Sequence, residues 1–401
     1  MGKKKRPSGK ETPRVITEKP FDSAEWMRYG VPTYGGKPME PLLPSREEYI
    51  AEYEARKRRF RGALVGLATG DALGTSVEFM APGSFDPVTD MRGGGVFGLE
   101  PGQWTDDTSM ALCLADSLIE KGTFDQVDQL TRYVRWWREG HNSSTGTCFD
   151  IGGSTSRALS RFERTGEEYP GLLDPNGGGN APLMRLAPIP MAFADHPGWV
   201  GSIAGWSAKT THGAPEAIDA ARYLAVMIVA ALNGADKDEI LSTSVDSGKG
   251  TPFYLRPLHP KVVVVAEGSY REKEPPDIKG GGYSVESLEA ALWAFHGTES
   301  WEAGALAAVN LGDDADTTAA IYGQLAGAHY GIDAIPEEWR NQLAMGDEIV
   351  ARADALYELA GKTSNADAHE AALRANPRTQ EDTEAYESDT TSVTFIQRRA
   401  R

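Results

Sequence analysis

Apolar positions recur at helical spacing along most of the chain. Ser45 and Glu48 form a capping box, and behind it Tyr49, Tyr53, Phe60, Leu64 and Leu67 return every three to four residues. That spacing predicts a helix reaching about Gly70. Gly62, Gly66 and Gly70 fall on one face of it. With no side chains there, a second helix or a ligand can come close. Residues 81–103 are rich in Gly and Pro and read as a loop. Helices are predicted at Asp107–Glu120, with Met110, Leu112, Leu114 and Leu118 apolar, and at Asp125–Arg138, with Leu130, Val134 and Trp137 inward. The turn-rich stretch Gly146–Gly153 leads into a helix over Ser154–Phe162, and the glycine-rich Pro175–Pro182 reads as a loop. Further helical patterns cover 184–194, 198–208, 214–233 and 236–244, then Ser284–Phe295, Ser300–Val309, Asp316–Tyr330 and Pro336–Leu359. Only Val262–Val265 has strand character, too short a run to define a sheet. The pattern predicts a compact, all-α, multi-helix domain over residues 46–361, with no internal repeat of fixed period.

The flanks differ. Residues 1–45 mix Pro, Gly and charge and read as an extended arm. The arm also carries Phe21, Trp26, Met27, Tyr29 and Tyr34, more apolar anchoring than a solvated tail needs. It either packs on its own domain or docks a partner or covers a site. Residues 362–401 are polar and charge-rich, the composition of a mobile tail. Composition narrows the partners. Lys plus Arg number 41 against 58 Asp plus Glu, a net charge of −17. An acidic surface argues against nucleic acid as the main partner, and the basic cluster Lys3–Arg6 is confined to the start of the arm. No apolar run reaches transmembrane length, and the basic start lacks the apolar core of a signal peptide. Cys113 and Cys148 are the only cysteines, so a disulfide framework is not expected and a reducing cytoplasm is.

Two stretches concentrate carboxylates. Asp313, Asp314 and Asp316 lie within four residues at a helix start, followed by Thr317 and Thr318. Far upstream, Thr105-Asp106-Asp107-Thr108 opens another helix. A single Asp or Thr at such a place is an ordinary cap that also suits the helix dipole. One cap needs one side chain, and here two helix starts hold five carboxylates. Acids this crowded repel unless a proton or cation neutralises them. Oxygen-only donors suit a hard cation, Mg²⁺ first, then Mn²⁺ or Ca²⁺; zinc would bring His or Cys. The two stretches are therefore expected to meet around divalent metal. Asp71, at the end of the glycine helix, reads as a buried acceptor for loop amides, and Glu78 reads equally as structural or as facing a cleft. Asp150, before Ile-Gly-Gly, is by itself a turn residue. The run Gly177–Arg185 combines flexible backbone, an amide and one cation, which suits a diphosphate as well as it suits a surface loop. His212 alone reads as a hydrogen-bonded loop or core histidine.

Taken in order, the segments GALVGLATGDALG with Glu78, WTDDTSMAL, FDIGGST, GNAPLMRLAPIP, TTH and NLGDDADTTAAIYGQLAGAHYG resemble the ADP-ribosylglycohydrolase family over residues 62–331. WTDDT together with GDDADT is the specific signature; the others support it. Ala181 departs from the glycine usual after the Asn, and the arm before Ser45 lies outside the resemblance. The resemblance implies an all-α fold with a binuclear Mg²⁺ cleft. It implies ligands at Thr105, Asp106, Asp107, Asp314, Asp316 and Thr317, with Asp313 in a supporting role, and ADP-ribose over the metals. Gly179, Asn180, Met184, Arg185 and His212 would then contact the ligand. Cleavage at C1 of the distal ribose would pass through an oxocarbenium-like state, with Glu78 and Asp150 as the acid–base candidates, and Glu78 favoured because the resemblance places it beside the metal centre. Among leaving groups, arginine-linked mono-ADP-ribose on protein is the expectation, over serine and small esters. Two rivals stand beside it. In one the arm blocks an ADP-ribosyltransferase toxin, making the chain an antidote or immunity protein with or without hydrolysis. In the other the chain is an inactive scaffold, which the full set of carboxylates opposes.

Overall fold

The computed structural model describes residues 33–34, 37–38, 46–173, 177–242 and 258–361. The chain divides into two units, Met1–Glu54 and Ala55–Arg401. In the first, Thr33–Tyr34 pairs antiparallel with Lys37–Pro38, Thr33 opposite Pro38, and helix α1 (Arg46–Gly74) begins. The anchors expected at Phe21, Trp26, Met27 and Tyr29 lie outside the described residues, as does the 362–401 tail.

The second unit is built of helices, as the periodicity predicts. After α1 come α2 (Asp106–Lys121), α3 (Gln126–Glu139), α4 (Gly153–Thr165), α5 (Ala181–Met184), α6 (Pro188–Ala192), α7 (Pro197–Lys209) and α8 (Pro215–Leu232). They are followed by α9 (Lys237–Leu241), α10 (Pro260–Ala266), α11 (Ser284–Gly297), α12 (Trp301–Val309), α13 (Ala315–Tyr330), α14 (Glu337–Gln342) and α15 (Gly346–Ala360). None of the described helices is long and apolar enough to cross a membrane.

The glycine face of α1 lies directly on α13. A Cβ on Gly62 would stand 2.2 Å from the carbonyl oxygen of Gly327, one on Gly66 2.3 Å from that of Gly323, and one on Gly70 2.2 Å from that of Ala319. The same is true in reverse, since a Cβ on Gly327 would stand 1.9 Å from the Gly62 carbonyl. Backbone therefore packs on backbone, closer than any larger residue permits. The contact ends where the chemistry begins: a Cβ on Gly74 would meet Asp316 Cα at 2.2 Å. Asp71, on the last turn of α1, is thereby held against the first turn of α13.

Four local expectations are corrected. Val262–Val265 is not a strand but part of α10. Pro260 at the first helical position and His259 as cap start the turn, and Val262 and Val265, three apart, are the buried pair while Val264 points outward. The single pattern over Pro336–Leu359 is two helices, α14 and α15, separated where Met345 turns left-handed at φ 54°. Tertiary contacts hold this break: Ala344 N–H donates to the Gly102 carbonyl at 2.9 Å, and Trp104 Nε1 donates to the Ala344 carbonyl at 3.1 Å. The pattern over 184–194 is helical only at Pro188–Ala192 (α6), where Pro188 suits the first helical position, and the loop expected over Pro175–Pro182 gives way to α5 from Ala181. On α3 the inward ring is Trp136, and Trp137 is half-buried under the Arg138 guanidinium, 3.7 Å from its centroid.

Candidate active site

The site is assembled from the end of α1, the starts of α2 and α13, and the loops between them. Thr105 occupies the cap position of α2, but its side chain makes no cap bond. Its hydroxyl lies 3.0 Å from Asp71 Oδ1, 3.1 Å from Asp107 Oδ2 and 3.0 Å from Asp316 Oδ2. One hydroxyl proton serves one of these oxygens, so the others need a proton of their own or a cation. Capping of α2 passes to Asp71, the amide acceptor expected there. Its Oδ1 accepts from Thr105 N–H at 2.9 Å, and its Oδ2 accepts from Thr108 N–H at 3.0 Å and the Thr108 hydroxyl at 2.6 Å.

The start of α13 is fixed by its backbone. Asp313 is left-handed at φ 52°; its N–H donates to the Met80 carbonyl at 2.8 Å and its carbonyl accepts from Phe79 N–H at 2.6 Å. Its side chain is exposed, away from the buried carboxylates. Asp314 N–H donates to the Gly280 carbonyl at 2.8 Å, and Asp314 Oδ2 accepts from Asn180 Nδ2 at 2.6 Å. Thr317 Oγ1 lies 3.4 Å from Asp107 Oδ2.

Two groups of carboxylates result, Asp71–Asp107–Asp316 and Glu78–Asp314–Asp316, each with one oxygen per residue inside a 4.8 Å span. Asp316 is common to both. Burial is the largest cause of a raised pKa at every one of these acids, and the neighbouring carboxylates add to it at all but Asp71. Asp106, Asp107 and Asp316 are pushed well above the ordinary carboxylate range, and Glu78 up to about 10. At Asp71 hydrogen bonds from Thr108 and Thr105 offset part of the burial, leaving about 6. Asp150 is pushed up to about 7 and is hydrogen-bonded to Glu78 and Asp106, so it links the two. Asp106 thus faces Asp150 and belongs to neither three-acid group.

These residues fit a hard cation. Asp107 Oδ1, Asp316 Oδ1 and Glu78 Oε2 are buried and have no hydrogen-bond partner. Among the described residues no Lys or Arg forms an ion pair with any acid of the two groups. Buried oxygens left this way are costly unless a cation takes their lone pairs.

The expected ligand-contacting residues divide into two sets. Gly179, Asn180 and His212 lie together. A Cβ on Gly179 would stand 2.9 Å from His212 Nε2, and Gly179 bridges to Tyr283. Asn180 donates to Asp314 and also to Ser287 Oγ at 3.0 Å, so its amide positions an acid of the cluster. His212 is buried with Nδ1 2.9 Å from Thr211 Oγ1, and burial, then the nearby Arg185 and Arg157, pushes its pKa down to about 3. With Thr211, Ser154, Arg157, Leu172 and Gly177 it lines a concavity. Met184 and Arg185 are buried behind this surface. The Arg185 guanidinium donates to Thr211 Oγ1 at 2.6 Å and lies 4.9 Å over the Tyr133 ring, so it braces the segment that carries His212. Sequence reasoning missed the backing strip Gly280–Ser287, although its three consecutive glycines were a signal. It also read Asp71 as an amide acceptor alone.

The family model for ADP-ribosylglycohydrolase matches residues 52–366. The ADP-ribosylarginine hydrolase Tri1 of Pseudomonas putida (strain GB-1) is 42% identical over 313 residues, 77% of this chain and 81% of that protein. The ADP-ribosyl-[dinitrogen reductase] glycohydrolase of Rhodospirillum rubrum is 32% identical over 309 residues, 76% of this chain and 97% of its own. A solved ADP-ribosylglycohydrolase-related protein complex is 46% identical with a TM-score of 0.67, covering 77% of this chain and 99% of the solved chain. The helical architecture, the acid groups and these matches lead to one assignment: the chain belongs to the ADP-ribosylglycohydrolase family and is a glycohydrolase.

Proposed function

We propose that this glycohydrolase is Mg²⁺-dependent and removes mono-ADP-ribose from arginine side chains of modified proteins. The observation that carries the metal requirement is the pair of three-acid groups sharing Asp316, with orphaned oxygens on Asp107, Asp316 and Glu78. The arginine linkage is supported by the 40–42% identity to proteins described as ADP-ribosylarginine hydrolases. Thr105, Asp106, Asp107, Asp314, Asp316 and Thr317 would hold two ions, with Mn²⁺ as a substitute for Mg²⁺. Bound there, a hard divalent ion neutralises the cluster and polarises an oxygen ligand.

The remaining work falls to the chain's own groups. Gly179, Asn180 and His212 orient the nucleotide, and Met184 and Arg185 brace that surface from behind. The bond between ribose C1 and the arginine nitrogen breaks, a water oxygen bonds to C1, and the water proton goes to the departing guanidine. Glu78 relays that proton. Its buried carboxyl holds a proton in the metal-free cluster, and the adjacent Asp150 fixes its orientation through their hydrogen bond. Incubation with ADP-ribosylated arginine and serine peptides, with Mg²⁺ or with EDTA, tests the reading through release of free ADP-ribose. Arginine-linked substrate should be cleaved only with metal; full release in EDTA would sink the metal requirement.

A second role is carried by the arm. The family match begins at residue 52, and the preceding stretch holds Phe21, Trp26, Met27, Tyr29 and Tyr34. On this reading residues 1–45 form a segment of their own that docks a cognate ADP-ribosyltransferase toxin in the cytoplasm, and residues 46–361 are the hydrolase. Deleting residues 1–44 should abolish inhibition of that transferase while leaving hydrolysis intact. Inhibition that survives the deletion removes the arm from the interaction.

A further inference from the structure

A row of aromatic rings, exposed at Phe79 and half-buried at Phe97 and Phe149, adjoins Glu78 and Asp150 in the chain. Phe79 and Val96 are 63% and 64% exposed, although a phenylalanine in water gives up the burial its ring could supply. The Phe79 ring meets the Phe97 ring edge-on at 6.4 Å, and Phe97 meets Phe149 at 5.1 Å. Each end of this row adjoins an acid of the site. Phe79 follows Glu78, and Phe149 precedes Asp150. Glu78 and Asp150 interact with each other, so the two ends of the row each adjoin one member of a pair of carboxyl groups.

The backbone holds this arrangement against its own preference. Phe79 is left-handed at φ 61°, a conformation bulky residues avoid, and Asp150 is left-handed at φ 56°. Phe79 N–H is tied to the Asp313 carbonyl at 2.6 Å, so the segment that carries Asp314 and Asp316 keeps the ring turned outward. An unfavourable conformation locked in place beside a reactive site points to a use for it.

We infer that Phe79, Phe97 and Phe149 form the platform for the leaving group, and that the group they select is the guanidinium of an ADP-ribosylated arginine. This rests on the arginine-directed reading above and names the side chains that make it so. A guanidinium is planar and weakly hydrated; its faces stack on aromatic rings while its edge donates to carboxyl oxygens. The row of rings supplies the first contact, and Glu78 and Asp150 supply the second. A serine linkage offers one methylene and one oxygen, with no plane to stack.

Phe97→Leu and Phe149→Leu test the platform, because both keep apolar volume and remove the aromatic face. With an ADP-ribosylarginine peptide each should raise KM about five- to thirtyfold, the range a partly desolvated cation–ring contact supplies. The inhibition constant of free ADP-ribose should stay at the wild-type value. Phe79→Leu repeats the test at the exposed ring, where substitution disturbs the fold least. Wild-type KM in all three variants overturns the platform. So does a parallel rise in the ADP-ribose inhibition constant, which would assign the rings to the nucleotide. Wild-type enzyme that leaves arginine-linked peptide intact overturns the underlying reading, a result no Phe variant can imitate.

Discussion

Asp316 is the residue on which both acid groups depend. It contributes an oxygen to each, touches the Thr105 hydroxyl at 3.0 Å, and keeps its Oδ1 without a protein partner. Asp316→Ala is therefore expected to remove both halves of a metal site, while an isolated ligand such as Asp314 would remove one. The expected loss in kcat is about a thousandfold or more, the scale of losing a main electrostatic stabiliser. Isothermal titration should find no Mg²⁺ binding to Asp316→Ala and residual, weaker binding to Asp314→Ala. Equal and intact binding in both variants would place the metal elsewhere. Asp71 differs in kind. Its carboxylate accepts the amides of Thr105 and Thr108 on either side of Asp106 and Asp107, so its first task is to fix the turn that carries Asp107.

At the scale of elements, the crossing of α1 and α13 sets the site's precision. Gly62, Gly66 and Gly70 face Gly327, Gly323 and Ala319 with backbone against backbone. Gly327→Ala would place a methyl 1.9 Å from the Gly62 carbonyl oxygen, and neither helix backbone can yield without shifting its neighbours. A destabilisation of about 3 kcal/mol is expected from such overpacking, measurable by urea unfolding. Gly74→Ala would act more locally, since its methyl meets Asp316 Cα at 2.2 Å. It should lower Mg²⁺ affinity more than it lowers stability. A Gly74→Ala protein with wild-type Mg²⁺ affinity would show that the close approach is packing alone.

At the scale of the whole molecule, the acid cluster makes stability depend on pH and metal together. The raised carboxyls reach about 6 at Asp71, about 7 at Asp150 and about 10 at Glu78 in the metal-free protein. Unfolded carboxyls release their protons near pH 4. Above that value the folded state holds protons that the unfolded chain has lost, so metal-free stability falls as pH rises through the window between. EDTA-treated protein should melt at a lower temperature at about pH 8.5 than at about pH 6. Mg²⁺ competes for the same oxygens, so its stabilising increment should grow over that interval. A metal-free Tm that climbs with pH would contradict the burial of these groups as acids.

Much of this was legible in the residues themselves. The helical period, the capping box at Ser45, the glycine face of α1 and the two acid stretches depend on local spacing and side-chain chemistry, which a linear chain displays directly. Oxygen-only donors already pointed to a hard cation, and the family resemblance implied that Asp313 stands apart from Asp314 and Asp316. What the chain alone left open depended on residues far apart in sequence. The separation of α14 from α15 is held by Gly102 and Trp104, and Val262–Val265 is helical because Val262 and Val265, three apart, are the pair buried in the core while Val264 faces out. Arg185 resembles a phosphate ligand until Tyr133 and Thr211 are seen to enclose it. Thr105 and Asp316 are 211 residues apart and share a hydrogen bond. Local propensity is worth tenths of a kcal/mol per residue, whereas burying a charge or closing backbone on backbone is worth several. The sequence by itself therefore determined the helices and the chemistry of the donors. The tertiary structure alone decided which donors meet and which cation is buried, because those contacts join residues far apart in the chain.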